Sequence, residues 1–187
     1  MDKISFEIPE GKVTAIVGTS GSGKTTLIKL LLGYYKTLSG HISVGSTSLN
    51  DIHLKWWRKQ CGVVMQNGVI FSESIIRNIA VDDGEIDQKR LQQAVKIANI
   101  EDFIDGLPLK FNTQIGPDGI DLSQGQKQRI LIARAVYKNP QYIFFDEATN
   151  SLDTNNEKTI VENLNLFYKG RTVVIVAHRL STVRNAD

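Results

Sequence analysis

The sequence contains a single cysteine, Cys61, among its 187 residues. One cysteine excludes an internal disulfide framework and a cysteine-rich zinc site, and it favours a reducing, intracellular setting. Long apolar runs are also missing. The longest, such as Tyr142–Phe145 and Val173–Ala177, extend only about five residues, whereas a membrane-spanning helix needs about 20. The first ten residues, MDKISFEIPE, lack the apolar centre of a secretory signal. Nor does one sign of charge dominate. Lys and Arg number 22 against 20 Asp and Glu, and a net charge of +2 needs no nucleic acid to explain it. What remains is an ordinary globular balance, with 41% apolar and 22% charged residues. That balance is too apolar and too neutral for disorder, and the length suits one domain with a real core.

Along the chain, short β-like runs alternate with longer helical ones. Ile4–Ile8 alternates in polarity and ends at Pro9-Glu10-Gly11, so it is predicted as a strand closed by a turn. Val13–Val17 is a short apolar strand that runs into glycines, and Thr25–Leu32 reads as a helix stopped near Gly33. His41–Val44 and Gly62–Met65 are predicted strands. Asp87–Asn99 places Leu91, Val95 and Ala98 at helical spacing. Ser123–Tyr137 and Thr154–Phe167 are predicted helices. Each opens with capping-box spacing, Ser123 with Gln126 and Thr154 with Glu157. On the second of these, Ile160, Val161, Leu164 and Phe167 share one side. Gln141–Asp146 and Thr172–Ala177 are apolar strands. Apolar strands alternating with helices predict an α/β fold, a parallel sheet covered on both faces.

Three stretches carry chemistry. In GTSGSGKTT, residues 18 to 26, the positions Gly18, Gly23, Lys24 and Thr25 fit G-x-x-x-x-G-K-[ST]. A strand ends, the chain turns tightly and a helix begins. The turn's N–H groups and the helix N-terminus form a cradle for anions. Gly18, Gly21 and Gly23 free the backbone to approach a phosphate, Lys24 adds positive charge, and the Thr25 hydroxyl is a Mg²⁺ ligand. A chance match over such a chain has a frequency on the order of 1%, given glycine at roughly 7% of residues. Next, Tyr142–Glu147 is a buried strand that delivers Asp146 and Glu147 at its C-terminal end, where α/β sheets bind ligands. Asp146 suits a Mg²⁺ hydration shell and Glu147 the polarisation of a water. Two solvated acids after an edge strand are the plain alternative. Third, Leu122–Arg129 opens a helix with small polar residues, either a second anion site or an ordinary cap.

The order GTSGSGKTT, Gln66, LSQGQKQR, YIFFDE, Ser151-Leu152-Asp153 and His178 resembles the nucleotide-binding, or ATPase, domain of ABC transporters over essentially the whole chain. The runs IPEGKVTAIVG, VVMQNGVIFSESIIRNIA and AHRLSTVRNAD resemble the exporter branch, and VMQNGVIFSESI is similar to bacterial peptide or bacteriocin exporters. The resemblance implies a P-loop NTPase fold with a RecA-like, mostly parallel sheet core, an N-terminal antiparallel β part and a helical subdomain. Residues 1–187 are then one ABC ATPase domain. Residues 1–71 and 139–187 form its core and β part, and residues 72–138 form the helical subdomain with the signature motif. ATP and Mg²⁺ are the implied cofactors.

Position by position, Gly18, Thr19, Ser20, Gly21, Ser22, Gly23, Lys24, Thr25 and Thr26 match the Walker A loop. Gln66 matches the Q-loop glutamine, which reaches Mg²⁺ and the reacting water and senses the transmembrane domain. Ser123, Gly125 and Gln126 match the signature motif, which contacts the γ-phosphate held by the opposite subunit. Asp146 matches the Walker B aspartate, Glu147 the catalytic glutamate, Asp153 the D-loop aspartate and His178 the switch histidine. The implied metal ligands are Thr25, Gln66 and Asp146, and the implied catalytic residues are Lys24, Gln66, Glu147 and His178. The implied partners are a second copy of the domain, closing around two ATP molecules, and a transmembrane domain docked near the Q-loop at the cytoplasmic face of the membrane. No nucleic-acid partner is implied.

Some residues fall outside this pattern. His41 and His53 match no motif and are expected at the surface. Cys61 is expected as a small core residue rather than a reactive thiol. Trp56 and Trp57 are adjacent, so at most one faces a core comfortably, and the other is a candidate for the docking groove. Lys127 and Arg129 are expected on a solvated helix face. Gln124 stands where the family most often has glycine, and Pro117 stands where exporters carry a glutamate between glycines. The resemblance implies an adenine-stacking aromatic upstream of Ile4–Ile8, where no aromatic residue lies, and the chain stops before the family's last elements. The expectation is therefore a piece of a longer exporter, clipped at both ends, soluble by itself and weak or inactive as an ATPase. Three alternatives fit less well. A DNA-repair or chromosome clamp inserts a long coiled coil between the Q-loop and the signature, but no sustained heptads separate Gln66 from Ser123. A soluble ABC protein of translation carries two such domains. A non-hydrolytic module would lack Glu147 or His178.

Overall fold

A computed structural model describes residues 4–81, 84–148 and 154–177, without the side chains of Thr154 and Asn155. In chain order the elements are β1 (Val13–Val17), α1 (Lys24–Leu31), β2 (Ser43–Val44), β3 (Thr47–Ser48), α2 (Leu54–Gln60), β4 (Cys61–Val64), β5 (Glu73–Ser74), α3 (Ile75–Ile79), α4 (Gln88–Ile97), α5 (Glu101–Asp105), β6 (Gln114–Ile115), α6 (Gln124–Tyr137), β7 (Tyr142–Asp146), α7 (Thr154–Tyr168) and β8 (Thr172–Ala177). The chain divides into two compact units. One holds Met1–Val63, Pro140–Glu147 and Gly170–Asp187, and the other holds Val64–Asn139 and Ala148–Lys169.

The first unit is built on a sheet of order β1-β8-β7-β4. Strand β1 pairs in parallel with β8, from Val13 opposite Val173 to Val17 opposite Ala177. Strand β7 pairs in parallel with β8, from Tyr142 opposite Thr172 to Asp146 opposite Val176. This register brings the C-terminal ends of three strands level with one another, the edge at which parallel sheets place their ligand sites. Strands β2 and β3 add a short antiparallel pair. Ile143, Val173 and Val174 in the sheet and Ile28 and Leu32 around α1 are at most 1% exposed. Burying such side chains contributes about 1.5–3 kcal/mol each. The carbonyls at the end of α1, left over by its own ladder, are capped by α2. Trp57 donates its Nε1–H to Leu31 O at 2.9 Å, and Arg58 donates to Leu32 O at 3.1 Å and Gly33 O at 2.8 Å. Trp57 also packs on Tyr142 with ring centroids 4.8 Å apart. It is therefore the core member of the tryptophan pair, and Trp56 is exposed.

In the second unit α6 packs against α3 and α4, and α4 against α7. Leu91, Val95 and Ala98 are buried as their spacing predicts, and so are Ile160, Leu164 and Phe167 on α7. Strands β5 and β6 pair antiparallel. Among the described residues no helix is long and apolar enough to cross a membrane.

Two expectations change. Ile4–Ile8 is not a strand, and Ile4 and Phe6 are 54% and 49% exposed. Alternation alone does not make a strand where no neighbouring strand takes up its hydrogen bonds. Helices α2, α3 and α5 are too short to show a clear period in sequence. Arg129 is not on a solvated face, because it is half-buried and donates to Asn99 O at 2.7 Å. Its long stem carries the guanidinium to a leftover carbonyl past the end of α4. His41 and His53 are exposed and Cys61 is 1% exposed, as expected.

Candidate nucleotide-binding site

Strand β1 ends at Val17 and α1 begins at Lys24, so residues Gly18–Gly23 form the whole connection. Gly21 and Gly23 hold φ values of +78° and +91°, which L side chains resist. Gly23 is also the N-cap of α1, and no side chain caps that end. The N–H groups of the first helical turn are thus left for an external acceptor, in the positive field of the helix dipole. A Cβ at Gly18 would come within 3.0 Å of Ser22 Oγ, so a side chain there would press on the inside of the loop. Lys24 is 8% exposed and arches back over the loop. Its Nζ donates to Gly18 O at 2.9 Å and to Thr19 O at 2.8 Å.

Beside the loop, β7 delivers Asp146. The Thr25 hydroxyl donates to Asp146 Oδ2 at 2.7 Å. Asp146 is 1% exposed, and its Oδ1 has no hydrogen-bond partner among the described residues. A buried carboxylate oxygen without a donor is costly, and a cation or an ordered water relieves it. Thr25 keeps its oxygen lone pairs for the same ion. The residue chemistry therefore fits Mg²⁺, a hard ion that takes oxygen ligands. Among the described residues no three His, Cys, Asp or Glu side chains form a ready-made metal cluster. The remaining ligands would be phosphate oxygens and water, as that ion prefers. Glu147 follows at once. It is half-buried at φ +53°, and its N–H donates to Val176 O at 3.0 Å.

The structure thus brings Gly18–Thr26, Asp146 and Glu147 together at one end of the sheet. Gln66, Ser123, Gly125 and Gln126 lie in the second unit, and Asp153 and His178 lie outside the described residues. Ser123 and Gln126 form the predicted capping box of α6. Ser123 Oγ accepts from Gln126 N at 3.2 Å, and Gln126 Oε1 accepts from Ser123 N at 2.8 Å. The cap expected from Thr154 and Glu157 rests on a side chain outside those described. Sequence reasoning missed Asn78 and Arg134, which organise the chain after Gln66; Asn78 lies in the exporter-like run of residues 63–80 without standing out there, and Arg134 lies in none of the motif runs.

A glycine loop between strand and helix, with a threonine hydroxyl tied to an aspartate from another parallel strand of the same sheet, defines a P-loop NTPase. Comparison with known proteins narrows the class. The family model for ABC transporters matches residues 1–150. The ATP-dependent lipid A-core flippase of Saccharophagus degradans is 44% identical over 187 residues, covering 100% of this chain and 32% of that protein. The leukotoxin translocation ATP-binding protein LktB of Mannheimia haemolytica is also 44% identical, over 100% of this chain and 26% of that protein. A solved bacterial Atm1-family ABC exporter with ATP bound superposes with a TM-score of 0.94 at 38% identity, covering 98% of this chain and 32% of that one. The chain belongs to the ABC transporter family and is an ATPase domain of its exporter branch. It spans about a third or less of the length of these relatives.

Proposed function

We propose that this chain binds ATP with Mg²⁺ on the Gly18–Thr26 loop and hydrolyses it to drive export through an attached membrane domain. The supporting observation is the 2.7 Å bond from Thr25 to Asp146, together with the orphaned Asp146 Oδ1 beside an open phosphate cradle. The cradle's N–H groups and Lys24 bind the phosphates. The ammonium exchanges two neutral carbonyl partners for charged phosphate oxygens, and such bonds are roughly twice as strong. Thr25 and Asp146 would hold Mg²⁺, which would supply neutralising charge at the phosphates. Glu147, pinned through its N–H to β8, orients the attacking water and accepts its proton on a carboxylate oxygen.

Further roles follow the family pattern. Two copies close around two ATP molecules, with Ser123, Gly125 and Gln126 of each reaching the γ-phosphate on the other. His178 contacts that phosphate, Asp153 lines the seam, and Gln66 links the site to the membrane domain at the cytoplasmic face. The resemblance of Val64–Ile75 to peptide exporters supports a peptide as cargo. Equal identity to relatives named for a lipid and for a leukotoxin supports cargo choice outside these residues. Calorimetric titration of the full-length protein with Mg-ATP checks the site. Saturable binding is expected, weakened at least about tenfold in Lys24→Ala by loss of charge-assisted hydrogen bonds. Equal binding by both proteins would overturn the assignment.

A further inference from the structure

The segment that follows Gln66 is fastened to the helix that begins after Ser123, and both lie in the second unit. Asn78 on α3 is wholly buried. Its Nδ2 donates to Phe71 O at 3.0 Å and to Glu73 O and Ser74 O at 3.2 Å each. Its Oδ1 accepts from Phe71 N at 2.9 Å and from an Arg134 terminal nitrogen at 3.1 Å. Arg134 on α6 also donates from Nε to Asn78 O at 2.7 Å and from its other terminal nitrogen to Val69 O at 2.9 Å. Its guanidinium lies 4.9 Å from the Phe71 ring centroid. Three residues earlier on the same helix, Leu131 meets Gly68 so closely that a Cβ on Gly68 would lie 2.4 Å from a Leu131 methyl. Burial pushes the Arg134 guanidinium down to about 10, which leaves it charged at neutral pH.

This arrangement goes beyond filling space. Residues 69–74 contain only the two-residue strand β5, and outside it Val69 O, Phe71 N and Phe71 O are met by side chains. Asn78 and Arg134 provide those partners in a fixed planar geometry, and the fork of Arg134 cannot be matched by a single-headed cation. The carbonyls they hold begin three residues after Gln66. The helix that holds them opens at the Ser123 cap. One node therefore fixes the spacing of two segments that carry different motifs.

We propose that Arg134, acting through Asn78, is a positioning residue that makes the segment after Gln66 and the helix after Ser123 move as one body. A displacement of either segment is thereby delivered to the other. The proposal rests on the nucleotide-site reading above. Its test uses the full-length protein with Arg134→Met, which keeps the apolar stem without donors, and Arg134→Lys, which keeps one charged donor. In Arg134→Met the KM for Mg-ATP is expected within about twofold of the parent while kcat falls about tenfold, as for residues on a coupling route. Arg134→Lys recovers part of kcat. Hydrogen exchange of residues 66–74 and 122–126 on adding Mg-ATP changes together in the parent and separately in Arg134→Met. A parental kcat in a folded Arg134→Met, or equal losses in the Met and Lys variants, overturns the proposal. If Arg134→Met does not fold, Phe71→Leu decides. It removes the ring against which the Arg134 guanidinium lies, so the node is expected to slacken and the paired exchange response to loosen with KM unchanged; an unaltered response overturns the proposal. A parent that neither binds nor hydrolyses Mg-ATP overturns the site reading and this proposal together, whereas an active parent with an indifferent Arg134 overturns this proposal alone.

Discussion

Glu147 occupies a left-handed backbone conformation at φ +53° without being glycine or asparagine. An L residue there costs roughly 1–2 kcal/mol, and such strain persists where the surroundings or function hold it. Asparagine tolerates this region better. Glu147→Asn is therefore expected to raise stability by up to about 1 kcal/mol while removing hydrolysis, read by thermal unfolding beside phosphate release. Gly23 makes the opposite case. At φ +91° it is the entry to α1, so Gly23→Ala is expected to cost about 1–2 kcal/mol and to misdirect the first N–H groups of the helix. Unfolding and nucleotide titration check the two effects separately. The Gly18–Thr26 loop is legible in sequence because its chemistry needs those residue types in one unbroken run. Asn78 and Arg134 are not legible, because their partners lie between 4 and 65 residues away and neither residue type announces its role.

At the scale of elements, the capping box opens α6 through two reciprocal bonds. Ser123→Ala removes one acceptor and is expected to lower stability by about 1 kcal/mol, measured by thermal unfolding. A Ser123→Asn variant keeps an acceptor at the cap and is expected to restore most of it. Long amphipathic helices could be placed from sequence because their period repeats, and wholly apolar strands because a short apolar run rich in β-branched residues stands out between polar flanks. Thr172–Ala177 is one such strand and agrees residue for residue. The alternating run Ile4–Ile8 shows the limit of that reasoning, since a strand needs a partner as well as a pattern. Helix α2 shows another. Its seven residues are held by Trp57 and Arg58 capping the end of α1, a contact made between elements and invisible in either one alone.

For the whole molecule, the level ends of β1, β7 and β8 explain why residues far apart in sequence meet. Val17 and Asp146 each stand beside a residue of β8, so the loop after one and the acid that ends the other converge. Cys61 reports on the integrity of this unit. At 1% exposure it is expected to resist a thiol reagent until the sheet opens, and its labelling rate should follow global unfolding in denaturant. Rapid labelling under native conditions would show that the β4 edge opens locally. The identity of the family was legible in the order of motifs, whereas the cargo was not, because relatives of equal identity are named for different ones. The most direct measurement is phosphate release by the full-length protein and its Glu147→Gln variant under saturating Mg-ATP, with bound nucleotide and assembly state followed in parallel. The expected result is hydrolysis by the parent, none above background in the variant, and retention of ATP in a closed dimer by the variant. Hydrolysis by Glu147→Gln at the parental rate would contradict the assignment of Glu147 as the proton acceptor and, with it, the proposed chemistry of the site.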